Sequence, residues 1–144
     1  MLPKFHEFFY PILDFFSKNK SSTRYSNEMI DSMKEFCIKN YNSNQQDFEE
    51  VYEKSRQNRF ENRIGFSVSY LYTSELIEKT DEKFHYKITE EGLKALKENF
   101  ESKIISLSYL RQHTPFLQNS AKEKVEKNDI SENDVVNEKF SIDD

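Results

Sequence analysis

Glycine is scarce in this chain of 144 residues: Gly65 and Gly92 are the only two. Phosphate-cradling loops of the GxxxxGKS/T or GxGxxG type need more, so nucleotide-binding folds built on them are excluded. Cysteine is scarcer still. Cys37 alone cannot form an internal disulfide framework, and its solitude fits a reducing compartment. Together with His6, His85 and His113, which are scattered along the chain, it cannot build a structural zinc site of the usual spacing. No apolar run approaches the ~18 residues that a spanning helix needs. The aromatic N-terminus is interrupted by Glu7 and Asp14 and has no small-residue cleavage site, so neither a membrane partner nor a signal peptide is expected. Cytoplasmic location is the default that follows.

Charge, by contrast, is abundant: 21 Lys plus Arg against 26 Asp plus Glu, net −5, with a mean hydropathy of −0.90. It is unevenly spread. Residues 1–117 hold 17 basic and 18 acidic side chains and 20 of the 21 aromatics; residues 118–144 hold 4 basic and 8 acidic side chains, with Phe140 as their one aromatic. A segment of the second kind buries too little apolar surface to offset its ordering entropy. The expected organisation is a folded domain over 1–100, an extension over 101–117, and an acidic flexible tail over 118–144 with transient helix around Ala121–Lys127.

Apolar spacing places the elements. Phe5, Phe8, Phe9, Ile12, Leu13 and Phe16 predict a helix over Lys4–Ser17, with Pro11 as a candidate kink. Met29, Ile30, Met33, Phe36, Cys37 and Tyr41 predict a second, capped by Ser26 or Asn27. Cys37 lies on that apolar row and reads as a core thiol, not a nucleophile. A short turn at Gln45–Tyr52 precedes a third full helix, whose buried row is Phe60, Ile64, Val68 and Leu71 and which runs to about Ser74. Leu76–Lys79 and Phe84–Ile88 then read as a hairpin, with Phe84, Tyr86 and Ile88 on one face. Thr89 caps a closing helix that tolerates Gly92 and turns Leu93, Leu96 and Phe100 inward. The fold class is therefore mainly α with a small β-hairpin, in the order of a winged helix-turn-helix, whose third helix enters the major groove of DNA while the hairpin flanks it.

One stretch stands out by charge. Residues 54–63 read KSRQNRFENR, a local +3 that contains three of the five arginines. Arginine grips phosphate or guanine, and Asn and Gln pair with adenine, so this chemistry suits double-stranded DNA. The candidate DNA-binding residues are Arg56, Gln57, Asn58, Arg59, Asn62, Arg63 and Tyr70, with Lys83 on the hairpin touching backbone. Helical spacing puts Arg59, Asn62, Arg63, Phe66 and Tyr70 on faces that the buried row leaves open. Replacing Arg59 and Arg63 together should then abolish DNA binding with little loss of stability. The competing view is that Arg59 and Arg63 merely pair with Glu53, Glu61 or Glu75. A second class of function also stays open: the acidic balance and the aromatics Phe66, Tyr70 and Tyr72 fit a protein-interaction or dimerisation module, or a homodimeric winged-helix regulator. No catalytic triad, no cofactor and no metal site is expected; Asp134 and Glu138 beside Lys139 are ordinary acidic-tail composition.

The segment SRQNRFENRIGFSVSYLYTSELIEK, followed by FHYKITEEGLKAL, resembles the N-terminal domain of the Mrr restriction endonucleases. The resemblance rests on Asn62-Arg63-Ile64 and on Lys87-Ile88-Thr89-Glu90-Glu91-Gly92, supported by Pro11 and Leu13 near the start and by Ser108–Gln112 with Pro115-Phe116 in the stretch between domains. It covers residues 3–117. Phe66 stands where the family usually has Trp, Ser67 where it has Ala, and Ser74-Glu75 where it has Ala-Gly. The resemblance implies a winged helix that recognises target DNA for a restriction nuclease. The family's nuclease domain is of the PD-(D/E)xK type, and the 27 residues after 117 are too few for one. The expectation is thus a non-enzymatic recognition domain that works with a separate nuclease subunit or as a homodimer.

Overall fold

Phe5–Phe8 form one 3-10 turn that leads directly into α1, Phe9–Lys18, in the computed structural model, which describes residues 1–113. The expected tail over 118–144, its transient helix, the Asp134–Lys139 cluster and the Pro115-Phe116 pair lie outside the described residues, as does the side chain of His113. Pro11 accounts for the break in the first helix. It is the third residue of α1, where a backbone N–H has no intrahelical partner to lose, so the chain tightens before it and is regular after it. α1 buries Phe9, Ile12, Leu13, Phe15 and Phe16, and each such side chain contributes about 1.5–3 kcal/mol.

α2 spans Asn27–Tyr41, with Ser26 as its cap: Ser26 Oγ accepts from the Met29 N–H at 3.0 Å. Met29, Met33 and Cys37 point into the core. α3 is a short helix, Gln45–Glu49, ending three residues before the predicted boundary because Val51 turns back to pair with Asn58. α4, Arg59–Thr73, begins at Asn58, whose side chain accepts from the Glu61 N–H at 2.9 Å. It packs against the 3-10 turn, α1, α3 and β1 and is the central helix of the molecule.

The hairpin is shorter than the sequence predicts. β1 (Ile77–Lys79) and β2 (Tyr86–Ile88) are antiparallel, with Ile77 opposite Ile88 and Lys79 opposite Tyr86. Phe84 falls outside β2 and is exposed, so it does not share a buried face with Tyr86. Ser22 adds a one-residue third strand, exchanging backbone bonds of 3.0 and 2.9 Å with Tyr86. α5 (Glu90–Glu98) is capped by Thr89, whose Oγ1 accepts from the Gly92 N–H at 3.0 Å and donates to the Glu75 carbonyl at 2.7 Å. Its inward face is Gly92, Ala95 and part of Leu96; Leu93 and Phe100, expected inside, are exposed. The reason is Gly92. A Cβ there would fall 2.6 Å from Ile88 Cγ1 and closer still to the Leu76 carbonyl oxygen, so the helix approaches the sheet on its small residues. α6 (Leu107–His113) follows, and Ile105 and Leu110 are buried with the core.

Candidate functional site

α4 is buried almost all round, and the side it leaves open is not the one its arginines mark. The N-terminal segment lies over the face carrying Arg63, Phe66 and Tyr70. Phe5 packs edge-on against Phe66 at 4.3 Å between ring centres and lies 5.4 Å from Tyr70. Ser67 donates to the Phe5 carbonyl, and Arg63 Nη1 donates to the Pro3 carbonyl at 2.9 Å. Arg63 is 9% and Tyr70 1% exposed; burial pushes the Tyr70 hydroxyl up to about 12. Arg63 and Tyr70 are thus part of the core rather than of a reading surface, and Phe66 is an interior ring, not an exposed one. The segment that covers them begins some sixty residues earlier in the chain, beyond the reach of helical spacing.

The open side of α4 is a polar row, Asn58, Glu61, Asn62, Ser69, Tyr72 and Thr73. It forms one wall of a cleft of about 1270 Å³. Thr23, Arg24 and Tyr25 form a second wall, and the hairpin loop Lys79–Phe84 a third. Along α4 the cleft extends roughly 22 Å, at 1.5 Å of rise per residue. Gly65 lies beneath Tyr25: a Cβ there would collide with the Tyr25 hydroxyl and come 3.3 Å from Arg24 Nη1. Arg24 reaches across, with Nη1 3.4 Å from the Gly65 carbonyl and Nη2 3.3 Å from the Tyr86 hydroxyl. Tyr72 packs edge-on against Tyr86 at 5.7 Å, and the Lys79 ammonium sits 5.1 Å over Tyr72.

Of the residues expected from sequence, Gln57, Asn58, Asn62 and Lys83 come together in this cleft. Asn62 is only 4% exposed and donates to Gln57 Oε1 at 2.7 Å. Asn58 is engaged twice, as the helix cap and through a 2.8 Å bond from Nδ2 to the Phe48 carbonyl. Arg56 is exposed on the preceding loop with a left-handed φ of 62°. Arg59, on the first turn of α4, lies with its guanidinium 5.0 Å over the Tyr52 ring. The ion pairs of the competing view, Arg59 and Arg63 with Glu53, Glu61 or Glu75, are not formed among the described residues. None of Lys54, Arg56, Arg59, Lys79 and Lys83 is ion-paired among the described residues. Charge reasoning missed Arg24, Tyr25, Ser69, Tyr72 and Lys79. The signal for α4 was its small and polar residues at three and four spacing, which mark the uncovered side of a helix otherwise apolar.

Among the described residues no group of three His, Cys, Asp or Glu side chains could hold a metal, and no helix is long and apolar enough to cross a membrane. A three-helix layout, a two-stranded antiparallel hairpin and a cleft between the third long helix and the hairpin loop define a winged-helix domain. The chain belongs to the Mrr N-terminal domain family, which it matches over residues 5–98, well over half its length. No curated protein and no solved structure matches it.

Proposed function

We propose that this domain binds double-stranded DNA along the cleft between α4 and the hairpin, and so recognises target DNA for a restriction nuclease. The observation that carries this is the set of cations without carboxylate partners. Lys54, Arg56 and Arg59 stand on the loop and first turn at one end of the polar row, and Lys79 and Lys83 on the hairpin. Exposed cations beside a polar helix face can neutralise phosphates while Gln57, held by the buried Asn62, meets base edges. Arg63 and Tyr70 support the helix from behind. Membership of the Mrr N-terminal family links the reading to restriction, and the cutting chemistry then belongs to a separate domain or subunit. Glu61, Asp81 and Glu82 share the cleft, so affinity is modest and falls with salt.

Gel-shift titration of the full chain against a combined Arg59→Ala, Lys79→Ala, Lys83→Ala variant tests this. The variant is expected to bind at least about tenfold more weakly while staying folded, with a melting temperature lowered by only a few degrees. A control carrying Lys94→Ala and Lys97→Ala on the exposed side of α5 should bind normally. Equal loss in both would make the attraction diffuse and refute the cleft.

A further inference from the structure

Phe84 is a side chain that folding does not account for. It is 71% exposed on the loop between β1 and β2, and its φ of 65° lies in the left-handed region, where an aromatic residue is strained. Glycine or asparagine would make the same turn at lower cost. The ring is nevertheless held out by a closed turn. The Thr80 N–H donates to the His85 carbonyl at 3.0 Å and the His85 N–H to the Glu82 carbonyl at 3.1 Å. The Lys83 ammonium lies 5.1 Å over the ring, and Phe84 borders the same cleft as Asn62, Ser69 and Tyr72.

The charge of the loop narrows what this ring can do. Lys79 and Lys83 can each meet a phosphate, but Asp81 and Glu82 on the same loop offset their charge, so the hairpin adds only a modest net attraction. The apolar ring adds a contribution to a DNA complex that those contacts do not supply. Exposed Phe side chains that enter a duplex do so as wedges, partly unstacking one base step.

We propose that Phe84 is an apolar wedge that unstacks one base step of the duplex held in the cleft. This rests on the DNA-binding reading above. The hairpin deforms the duplex as well as touching its backbone, and steps that unstack easily, or a mismatch, are preferred.

Full-length chain and duplexes carrying 2-aminopurine at successive positions, matched or with one mismatch, provide the test. Phe84→Gly removes the ring and relieves the left-handed backbone, so it should fold at least as well as the parent; Phe84→Trp keeps an aromatic face. The parent is expected to raise 2-aminopurine fluorescence at one step and to prefer the mismatched duplex by about tenfold. Phe84→Gly should lose both effects while keeping the salt dependence of binding, and Phe84→Trp should restore them. Unaltered fluorescence and preference in Phe84→Gly would overturn the wedge while leaving DNA binding intact. A folded parent that binds no duplex would overturn both. A dimer that dissociates on Phe84→Gly, with 2-aminopurine unaffected, would assign the ring to a contact between copies and also overturn the wedge.

Discussion

Arg59 and Arg63 stand one turn apart on α4 and do different work. Arg63 is buried with its guanidinium on the Pro3 carbonyl, so Arg63→Ala strands a buried acceptor and opens space. A loss of about 2–3 kcal/mol is expected in urea denaturation. Arg59 rests on Tyr52 at the surface, and Arg59→Ala should cost under about 1 kcal/mol while weakening DNA binding. A double replacement therefore cannot test recognition alone, since half of it attacks the core. The difference was not legible in sequence because both arginines satisfy the same spacing, and only the distant N-terminal segment decides which is covered. Gly92 teaches the same lesson: it reads as a tolerated blemish in a helix, yet the Leu76 carbonyl and Ile88 occupy the space of its missing Cβ. Gly92→Ala is expected to destabilise by about 1–3 kcal/mol in the same assay.

Elements were legible where local chemistry sets them. Ser26 and Thr89 each cap a helix through their own side chains, as their positions predict, and the apolar row of α2 brings Cys37 to the interior; Asn58, read from sequence as a DNA contact, is the cap of α4. The Ser22 strand was not legible, since one residue paired to Tyr86 leaves no alternation to read, and α5 presents Ala95 instead of Leu93 because the sheet leaves room only for small residues. The core row of α2 has a pH consequence. Burial raises the Cys37 thiol from 9.0 to about 12, as it raises Tyr70 from 10.0 to about 12. Because the unfolded chain ionises first, these groups leave stability unchanged below about pH 9 and reduce it as pH rises toward 12. Denaturation midpoints measured across that range should fall in step. At about pH 8 the thiol should react with Ellman's reagent only in denaturant; rapid labelling of the native chain would contradict its burial.

At the scale of the whole molecule, the layout of three long helices, hairpin and closing helix could be read from periodicity, and the family resemblance from two short motifs. The location of the cleft could not. It depends on which face of α4 the N-terminal segment covers and on how Arg24 and Tyr25, from a loop with no pattern of its own, close over Gly65. The net negative charge of the chain makes DNA binding a demanding claim, because a few unpaired cations must act locally against an acidic whole. Fluorescence anisotropy of the full chain with methylated and unmethylated duplexes, across a salt series, addresses it directly. Binding at low salt is expected, weakening with a log–log slope of about −4.5, as the five unpaired cations would give, and a difference between the two duplexes would tie the domain to restriction. A chain that is folded by circular dichroism and yet leaves anisotropy unchanged at low salt would contradict the assignment of the cleft to DNA.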